Sequence, residues 1–436
     1  MKVCVFGLWH LGTVTASCLA SLGHDVVGLD FESDVIAGLQ AGRPPLFEPG
    51  LAELVQAELR AGRLTFTSDA ERALAAADVL WVTYDTPVDE NDVADERFVI
   101  ERIARLFPHI RSGAVVLLSS QLRAGSTGQL REAYRSAQPG RKVSFAYSPE
   151  NLRLGKAIQV FLEPERIVVG TDDARARELL AAMFGKLAER IVWMRTESAE
   201  VTKHALNAFL AMSVSFANEV AAVCERVGAD AKEVERGLKS ERRIGPGAYL
   251  GAGAAFAGGT LARDVQYLKA LATEHGEPCV LLTAIKESND LHRQWVQRGL
   301  RRRFPELAGR QVTVLGLTYK PDTDTLRRSS AVELCRWLVE QRADVRAHDP
   351  RVQPAAAAEA LPGVKLAAGT AAALEGSEAV VIATPWPEYA NLRRDDLRGM
   401  RTPIVFDAQG LLLAALQGSD IEYHAVGQPE RKRGEK

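Results

Sequence analysis

Cysteine is scarce and irregularly placed in this chain of 436 residues. The five cysteines have neither the C-x-x-C spacing of a zinc site nor the even number of a disulfide framework. They are scattered along the chain at Cys4, Cys18, Cys224, Cys279 and Cys335. This usage fits a reducing compartment, so we expect a cytoplasmic protein without a structural metal.

Net charge and long apolar runs are lacking as well. The formal net charge is -2, which excludes a bulk electrostatic attraction to nucleic acid or to anionic membranes. No run reaches the ~18 uninterrupted apolar residues of a membrane helix, and the apolar N-terminus has no A-x-A cleavage site. The basic tail "RKRGEK" is interpreted as a solvated end. We therefore expect neither nucleic acid nor membrane as a partner.

What is present is a repeated alternation of strand and helix patterns. "KVCVFGL" predicts a strand, "WHLGTVTASCLASLG" a helix, and "HDVVGLD" a second strand that ends in an acid. Further strands are predicted in "DVLWVTYDTP", "AVVLLSSQ", "KVSFAYSP" and "RIVVG". The alternation resumes near Gln311, with strands in "QVTVLGLTY", "ADVRAHDP", "EAVVIATPW" and "PIVFDAQG". This order is typical of doubly wound parallel sheets.

A long helical run separates these two parts. "SAEVTKHALNAFLAMSVSFANEVAAVCERVG" contains no proline and has apolar residues on more than one side, which favours packing against other helices or a second subunit. The fold class predicted is α/β, with two Rossmann-like doubly wound parallel-sheet domains joined by a long central helix and a helical middle domain. The predicted boundaries are 1–197, 198–300 and 301–436, and we expect a homodimer.

The stretch "GLWHLG" connects the first strand to the first helix. Gly7 and Gly12 match a dinucleotide-binding turn, although Trp9 stands where the motif usually has its middle glycine. Asp30 ends the next strand, where an acid takes the adenosine ribose hydroxyls and repels a 2′-phosphate. The pattern predicts NAD rather than NADP; the alternative is a structural turn without a ligand.

Six further stretches occur in a fixed order. They are "TPVDENDVAD", "SPENLRLGKAI", "PERIVVG", "SAEVTKHALNAFLAMSVSFANE", "RRIGPGAYLGAGAAFAGGTLARD" and "GLTYKPDTDTLRRSSA". Together they resemble the UDP-glucose/GDP-mannose dehydrogenase family over nearly the whole chain. The resemblance implies oxidation of the C6 alcohol of a nucleotide sugar to a carboxylate by two NAD, in a dimer built around the long helix.

The resemblance also implies catalytic roles. Lys203 and Asn207 are four residues apart on one helix face and correspond to the pair that holds the oxyanion and a water. Glu150 corresponds to the glutamate that handles a proton during hydrolysis, and Asp264 to the aspartate that activates water beside the nucleophile. The alternatives are a solvated lysine, a helix-interior asparagine, and capping or loop carboxylates.

The nucleophile itself departs from the family pattern. In "AFAGGTLARD", Thr260 occupies the position of the family's cysteine, and a threonine hydroxyl is a poor nucleophile without a dedicated base. Gln121, Leu154, Arg263 and Gln409 also differ from the family's residues. Three functions remain open: oxidation of a UDP-hexose such as UDP-glucose to the aldehyde, or slowly to the acid; oxidation of a different alcohol; and a catalytically impaired regulatory protein.

The glycine motif and the resemblance together assign the remaining sites. Cofactor-binding residues are predicted at Gly7, Leu11, Gly12, Asp30, Thr86, Pro87, Ser120, Gln121 and Arg327. Substrate-binding residues are predicted at Asn151, Leu152, Arg153, Arg243, Tyr249, Phe256, Gly258 and Lys320, with Arg243 reaching the neighbouring subunit. Glycine-rich backbone and cationic side chains suit a diphosphate.

Overall fold

The chain divides into two compact units, Met1–Leu206 and Asn207–Lys436. The structure is a computed structural model that describes residues 1–87, 94–150, 152–257, 260–321 and 323–429. Asn151 and Gly258, two predicted substrate-binding residues, lie outside the described residues. The three predicted domain boundaries stay a prediction.

The first unit is a sheet with helices packed against it. Its strands are β1 Lys2–Phe6, β2 Asp25–Leu29, β3 Leu64–Thr67, β4 Val79–Val82, β5 Val115–Leu118, β6 Ser144–Tyr147, β7 Ile167–Gly170 and β8 Ile191–Met194. Its helices are α1 His10–Ser21, α2 Ser33–Gln40, α3 Leu51–Arg60, α4 Ala70–Leu74, α5 Glu96–Ala104, α6 Ser126–Ala137, α7 Ala157–Leu162 and α8 Ala174–Phe184. The strand order is β3-β2-β1-β4-β5-β6-β7-β8.

Both faces of this sheet are buried, which explains its continuous apolar strands. In β1, Val3 and Val5 enter one hydrophobic core, whereas Cys4 and Phe6 enter the core on the opposite face. Alternation of side chains along a strand produces this division, and a sheet covered on both faces needs apolar residues at every position. The first sheet therefore has the two covered faces that the sequence predicts.

One strand pair departs from the parallel pattern. β6 and β7 meet in an antiparallel pair at Tyr147 and Gly170, whereas the other paired strands of this sheet are parallel. The connection between them contains only the six-residue helix α7. β7 and β8 are parallel to each other and therefore run antiparallel to the other strands of the sheet.

A single helix, α9 Thr196–Val227, leaves the first unit and enters the second. Its 32 residues confirm the predicted long central helix. Among the described residues it is the one helix whose length and composition would allow it to cross a membrane, yet half of its most apolar window is buried within the protein. A core helix of a water-exposed protein has the same properties.

The second unit contains a helical part followed by a second sheet. Its helices are α10 Ala231–Ser240, α11 Thr260–Glu274, α12 Val280–Arg293, α13 Trp295–Arg303, α14 Ser330–Glu340, α15 Pro354–Ala360, α16 Thr370–Leu374 and α17 Pro387–Ala390. Its strands are β9 Gln311–Leu315, β10 Asp344–His348, β11 Lys365–Leu366, β12 Ala379–Ile382, β13 Ile404–Asp407 and β14 Glu422–His424. They are all parallel, in the order β11-β10-β9-β12-β13-β14. The predicted fold class is confirmed.

Candidate active site

The turn between β1 and α1 requires both of its glycines. Gly7 has φ +98°, and a Cβ there would lie 2.7 Å from the Tyr84 ring. A Cβ on Gly12 would lie 1.8 Å from the carbonyl oxygen of Gly7. Trp9, the residue before α1, provides no side-chain cap, so the first N–H groups of the helix have no such partner among the described residues. A helix start of this kind suits a phosphate.

Asp30 lies directly after β2 and is buried. Its carboxylate accepts hydrogen bonds from the Leu8 N–H at 2.6 Å, the Glu32 N–H at 3.2 Å and the Tyr84 hydroxyl at 3.0 Å. A carboxylate offers about four acceptor positions, so these donors leave about one for a ribose hydroxyl. The contact with Leu8 also fixes the glycine turn to the end of β2.

The predicted cofactor residues after β4 and β5 lie beside each other. The Thr86 hydroxyl donates to the Gln121 carbonyl oxygen at 2.6 Å, and the Pro87 carbonyl accepts from the Asp95 N–H at 2.7 Å. The Ser120 hydroxyl is buried and has no hydrogen-bond partner within the part of the chain that the structure describes. An orphaned buried hydroxyl at the carboxyl end of a parallel strand indicates a ligand contact.

These observations fit a dinucleotide. The two glycines keep space open at the start of α1, Leu11 lies buried in its first turn, and Ser120 has an unused hydroxyl. When bound, the cofactor would supply the hydride acceptor. The first unit would supply the helix N–H groups for its phosphates and Asp30 for its ribose.

The second sheet has a similar glycine turn, but the acceptor positions of the acid that follows β10 are already used. Gly316 follows β9 with φ +89°, and Asp349 follows β10. One Asp349 oxygen, Oδ2, accepts from the Leu317 N–H at 2.7 Å, the Thr318 N–H at 3.1 Å and Trp386 Nε1 at 3.1 Å. Its other oxygen accepts two more N–H groups. Asp349 therefore lacks the acceptor capacity that Asp30 retains, which favours the first unit for NAD.

A buried lysine lies beside Glu150 in the first unit. The Lys203 side chain is 8% exposed, and its Nζ lies 2.5 Å from the Glu150 carbonyl oxygen and 3.6 Å from Glu150 Oε2. Burial of an ammonium without partners is costly, so the carbonyl and carboxylate oxygens stabilise it in place. The structure brings these two predicted catalytic residues together. Leu152 is half-buried nearby in sequence, and Arg153 is exposed.

Helix α9 holds a second loop of this unit through two more buried residues. The Glu200 carboxylate accepts from the Gly125 N–H at 2.6 Å and from the Thr127 N–H at 2.9 Å. One turn later, His204 Nε2 lies 3.2 Å from the Leu122 carbonyl oxygen. The same turns of α9 that carry Lys203 thus fix the loop that follows Gln121.

A buried carboxylate also connects the glycine turn to the loop after Glu150. Glu48 Oε2 lies 2.9 Å from His10 Nε2 and accepts from the Gly155 N–H at 2.8 Å, while Oε1 accepts from the Ala157 N–H at 2.8 Å. Burial raises the pKa of Glu48, but these N–H groups and His10 outweigh that effect, so the pKa lies below its usual value. The sequence analysis missed Glu48, His10 and Tyr84, because no motif or periodicity distinguishes them.

In the second unit the structure brings together Asn207 and Asp264. Asp264 is fully buried in α11, and Asn207 Nδ2 donates to its Oδ2. Thr260 begins the same helix one turn earlier and is exposed. Nearby in sequence, both backbone groups of Phe256 are bonded to the Asn289 side chain, each at 2.9 Å. Asn289 thereby orders the glycine-rich segment before α11.

The remaining predicted substrate and cofactor residues are exposed. The Arg243 side chain is 88% exposed and pairs with Glu241 at 3.0 Å. Tyr249 is 59% exposed, and Lys320 and Arg327 also face solvent. Their roles stay predictions.

Comparisons with known proteins identify the family. Sequence models of the UDP-glucose/GDP-mannose dehydrogenase family match successive parts of the chain: the NAD binding domain at 1–188, the central domain at 197–291 and the UDP binding domain at 313–414. A UDP-glucose 6-dehydrogenase of Bacillus subtilis is 32% identical over 431 residues, covering 98% of this chain and 93% of the relative. The chain belongs to the UDP-glucose/GDP-mannose dehydrogenase family.

Two further members of the UDP-glucose/GDP-mannose dehydrogenase family support this assignment. A UDP-glucose 6-dehydrogenase of Haloferax volcanii is 34% identical over 434 residues, covering 97% of this chain and 99% of the relative. A solved UDP-glucose dehydrogenase structure from Pyrobaculum islandicum has a TM-score of 0.83 and 34% identity, covering 93% and 96% of the two chains. Membership confirms the predicted NAD-dependent dehydrogenase and its cofactor NAD, and the UDP binding domain supports a nucleotide-sugar substrate.

Proposed function

We propose that the protein oxidises the C6 alcohol of UDP-glucose or a related UDP-hexose with NAD, forming the aldehyde or, slowly, the uronic acid. The observation that carries this proposal is the buried Lys203 ammonium against Glu150, in the unit that holds NAD. The relatives named UDP-glucose 6-dehydrogenase match the chain over nearly its full length, which supports the choice of sugar.

The first oxidation needs a proton acceptor and a stabilised oxygen anion. We assign the oxygen to Lys203 and Asn207, which are one turn apart in the continuous helix α9. Asp264, held by Asn207, orients a water that accepts the hydroxyl proton, and Glu150 handles a proton in the later addition of water to the aldehyde. When bound, NAD would supply the hydride acceptor. No thiol takes part in this step.

The second oxidation proceeds without a thioester in this proposal. Thr260 has no base bonded to its hydroxyl among the described residues, so it is not activated as a nucleophile. Four of the five cysteines do not replace it, because Cys4, Cys18, Cys224 and Cys335 are buried. Burial raises the pKa of Cys18 and of Cys335 to about 12, which suppresses the thiolate. Water adds to the aldehyde to give its hydrate, and loss of a second hydride from the hydrate to a second bound NAD would give the acid.

The substrate contacts are assigned to exposed and half-buried residues. We propose that Tyr249, Phe256 and Lys320 contact the nucleotide sugar, together with Leu152 and Arg153 of the loop after Glu150. Glycine-rich backbone and cationic side chains at these positions are the groups that bind a diphosphate. A different alcohol remains the second candidate, because Gln409, which departs from the family's arginine, is an exposed residue that lines a small cleft together with Lys232.

We further propose a homodimer centred on α9. Phe209, Phe216 and Val223 recur every seven residues on this helix and are 61%, 49% and 61% exposed. Val227 extends the stripe with 70% exposure. A row of large exposed apolar side chains along a helix is typical of an association surface. The same row on α9 of a second copy would pack against it. Arg243 would then reach the neighbouring subunit. A cytoplasmic location is proposed from the five free thiols.

A panel of nucleotide sugars with NAD tests this function. NADH formation is followed by absorbance, and the products are identified by mass. We expect turnover with UDP-glucose or a related UDP-hexose, and loss of turnover in Lys203→Ala but not in Lys156→Ala, which removes an exposed lysine beside the same loop. NADH formation with other alcohols alone would favour the second candidate. Binding of nucleotides without NADH formation would favour the regulatory protein.

A further inference from the structure

An ion pair lies beside the acid that ends β2. Arg102 of α5 donates from Nη2 to Glu32 Oε1 at 2.6 Å, and Glu32 is separated from Asp30 by one residue. The Glu32 N–H also donates to Asp30 Oδ1. The acid that faces the ribose and this ion pair are therefore connected through one backbone group.

The arginine is held in place independently of Glu32. Its guanidinium lies 3.9 Å from the centre of the Phe98 ring and 5.5 Å from that of Tyr84, whose hydroxyl is bonded to Asp30. The Arg102 side chain is 20% exposed, whereas that of Glu32 is 60% exposed. The Nε of Arg102 is buried and has no partner within the described residues. Removal of Glu32 would thus leave an ordered cation with unused donors.

An arginine at this place in a Rossmann fold is the group that accepts the 2′-phosphate of NADP, whereas an acid alone selects NAD. A guanidinium binds phosphate through paired, charge-assisted hydrogen bonds. Here the Nη2 donor of Arg102 is bonded to the Glu32 carboxylate. We propose that Glu32 is a specificity-determining residue, which masks a phosphate-binding arginine, Arg102, at the adenosine 2′ position of the cofactor.

Direct titration with NAD⁺ and NADP⁺ tests this without any sugar substrate. In Glu32→Ala we expect affinity for NADP⁺ to rise about tenfold, as one charge-assisted hydrogen bond would allow, with a smaller change for NAD⁺. NAD⁺ remains preferred, because Asp30 still repels the phosphate. In Glu32→Ala with Arg102→Ala the gain should vanish, which separates Arg102 from Arg105, stacked 3.7 Å over Phe31 nearby.

Glu101→Ala is the matched control. Glu101 is also 60% exposed and is paired with an arginine, Arg97, at 2.5 Å, so its removal changes the net charge equally without releasing Arg102. The proposal is overturned if Glu32→Ala gains no NADP⁺ affinity, if Glu101→Ala gains as much, if the double variant keeps the gain, or if the unmodified protein already binds both cofactors equally. If the Glu32→Ala variant melts at a lower temperature than the unmodified protein, the same titrations are made with Glu32→Gln, which also removes the charge of this exposed side chain. The result is independent of which nucleotide sugar is oxidised.

Discussion

At the scale of single residues, the proposed chemistry depends on four paired side chains and on one exposed hydroxyl. Lys203 and Glu150 are in contact and buried or half-buried, and Asn207 holds Asp264. The hydroxyl of Thr260, in contrast, is an exposed group at the start of a helix. The groups that we assign to the first hydride transfer are thus paired within their own units, whereas the residue that we expect at the nucleophile position is an exposed threonine.

Lys203→Ala should abolish turnover. The developing oxyanion would lose its cation, at a cost of about 3 kcal/mol or more if it resembles the loss of an oxyanion-hole donor. The measurement is the rate of NADH formation at saturating NAD and UDP-hexose, alongside tight binding of NAD to show that the variant is folded. An active Lys203→Ala enzyme would remove this residue from the mechanism.

Asp30→Ala should weaken NAD binding about tenfold and narrow the preference over NADP. The variant loses a ribose acceptor, a charge that repels the 2′-phosphate, and the acceptor for the Leu8 N–H. Affinities are measured by titration, with exposed Asp34→Ala as the control on the following helix. Equal affinity of the unmodified protein for NAD and NADP would contradict the role of Asp30.

At the scale of secondary structure, α9 and the loops attached to it carry the site. Glu200 and His204 fix the loop after Gln121, and Lys203 fixes Glu150. In the same unit, Glu48 joins the start of α1 to the loop before α7. These buried polar contacts order loops that have few apolar side chains of their own.

Glu48→Gln should lower the free energy of unfolding by about 2 kcal/mol at neutral pH, because an amide cannot accept all the N–H groups that now converge there. The folded-state pKa of Glu48 is lowered, so its contribution is present above the unfolded pKa of about 4.3 and is lost as pH falls through the folded value.

Urea unfolding at several pH values measures this effect. The unmodified protein should lose more stability than Glu48→Gln as the pH falls below about 5. Glu53→Gln, an exposed acid on α3, is the control and should match the unmodified protein. Identical acid sensitivity of the Glu48 variant and the unmodified protein would show that Glu48 is not ionised in the fold.

The sequence predicted the inner strands and missed those at the edges. Strands β3, β8, β11 and β14 were not predicted, and each lies at an edge of its sheet. Edge strands are covered less fully and give weaker signals: β3 and β14 contain polar residues, β11 has only two residues, and the apolar strand β8 has no buried residue. The inner strands and α9 carry strong periodic signals and were predicted.

The site residues that the sequence predicted likewise belong to a local pattern, whereas those it missed make contacts that are distant in the chain. Gly7, Gly12 and Asp30 belong to a local motif whose spacing is readable from the chain. Glu48 contacts the Gly155 and Ala157 N–H groups more than a hundred residues away, and the Tyr84 hydroxyl, which follows β4, reaches Asp30 across the intervening strand β1. Such contacts depend on strand order, which local patterns do not contain.

At the scale of the whole molecule, the exposed stripe on α9 predicts a dimer. Phe216→Glu should convert it into monomers, because two copies of a buried carboxylate would face each other across the interface. Sedimentation at micromolar concentration measures the mass. Phe47→Glu is the control, since Phe47 is 85% exposed and lies outside α9. A monomeric unmodified protein would remove both the dimer and the reach of Arg243 across it.

The absence of a cysteine at residue 260 has a consequence for the whole reaction. Thr260→Cys should restore a thiol at the family's nucleophile position, one turn before Asp264. We expect this variant to accumulate a covalent adduct during turnover, which the unmodified protein cannot form. Gln121, Leu154 and Arg263 also differ from the family's residues. We therefore expect the variant to form the adduct but to gain little in the rate of acid formation.

The most direct measurement is mass spectrometry of the intact protein, quenched during turnover with NAD and UDP-glucose, together with analysis of the released product. The account predicts aldehyde, or acid formed slowly through its hydrate, and protein of unmodified mass; Thr260→Cys should gain the mass of the bound sugar nucleotide. Rapid formation of acid with an adduct on one of the five native cysteines would contradict it. Cys279, the one cysteine that is not buried, would then be the nucleophile to examine.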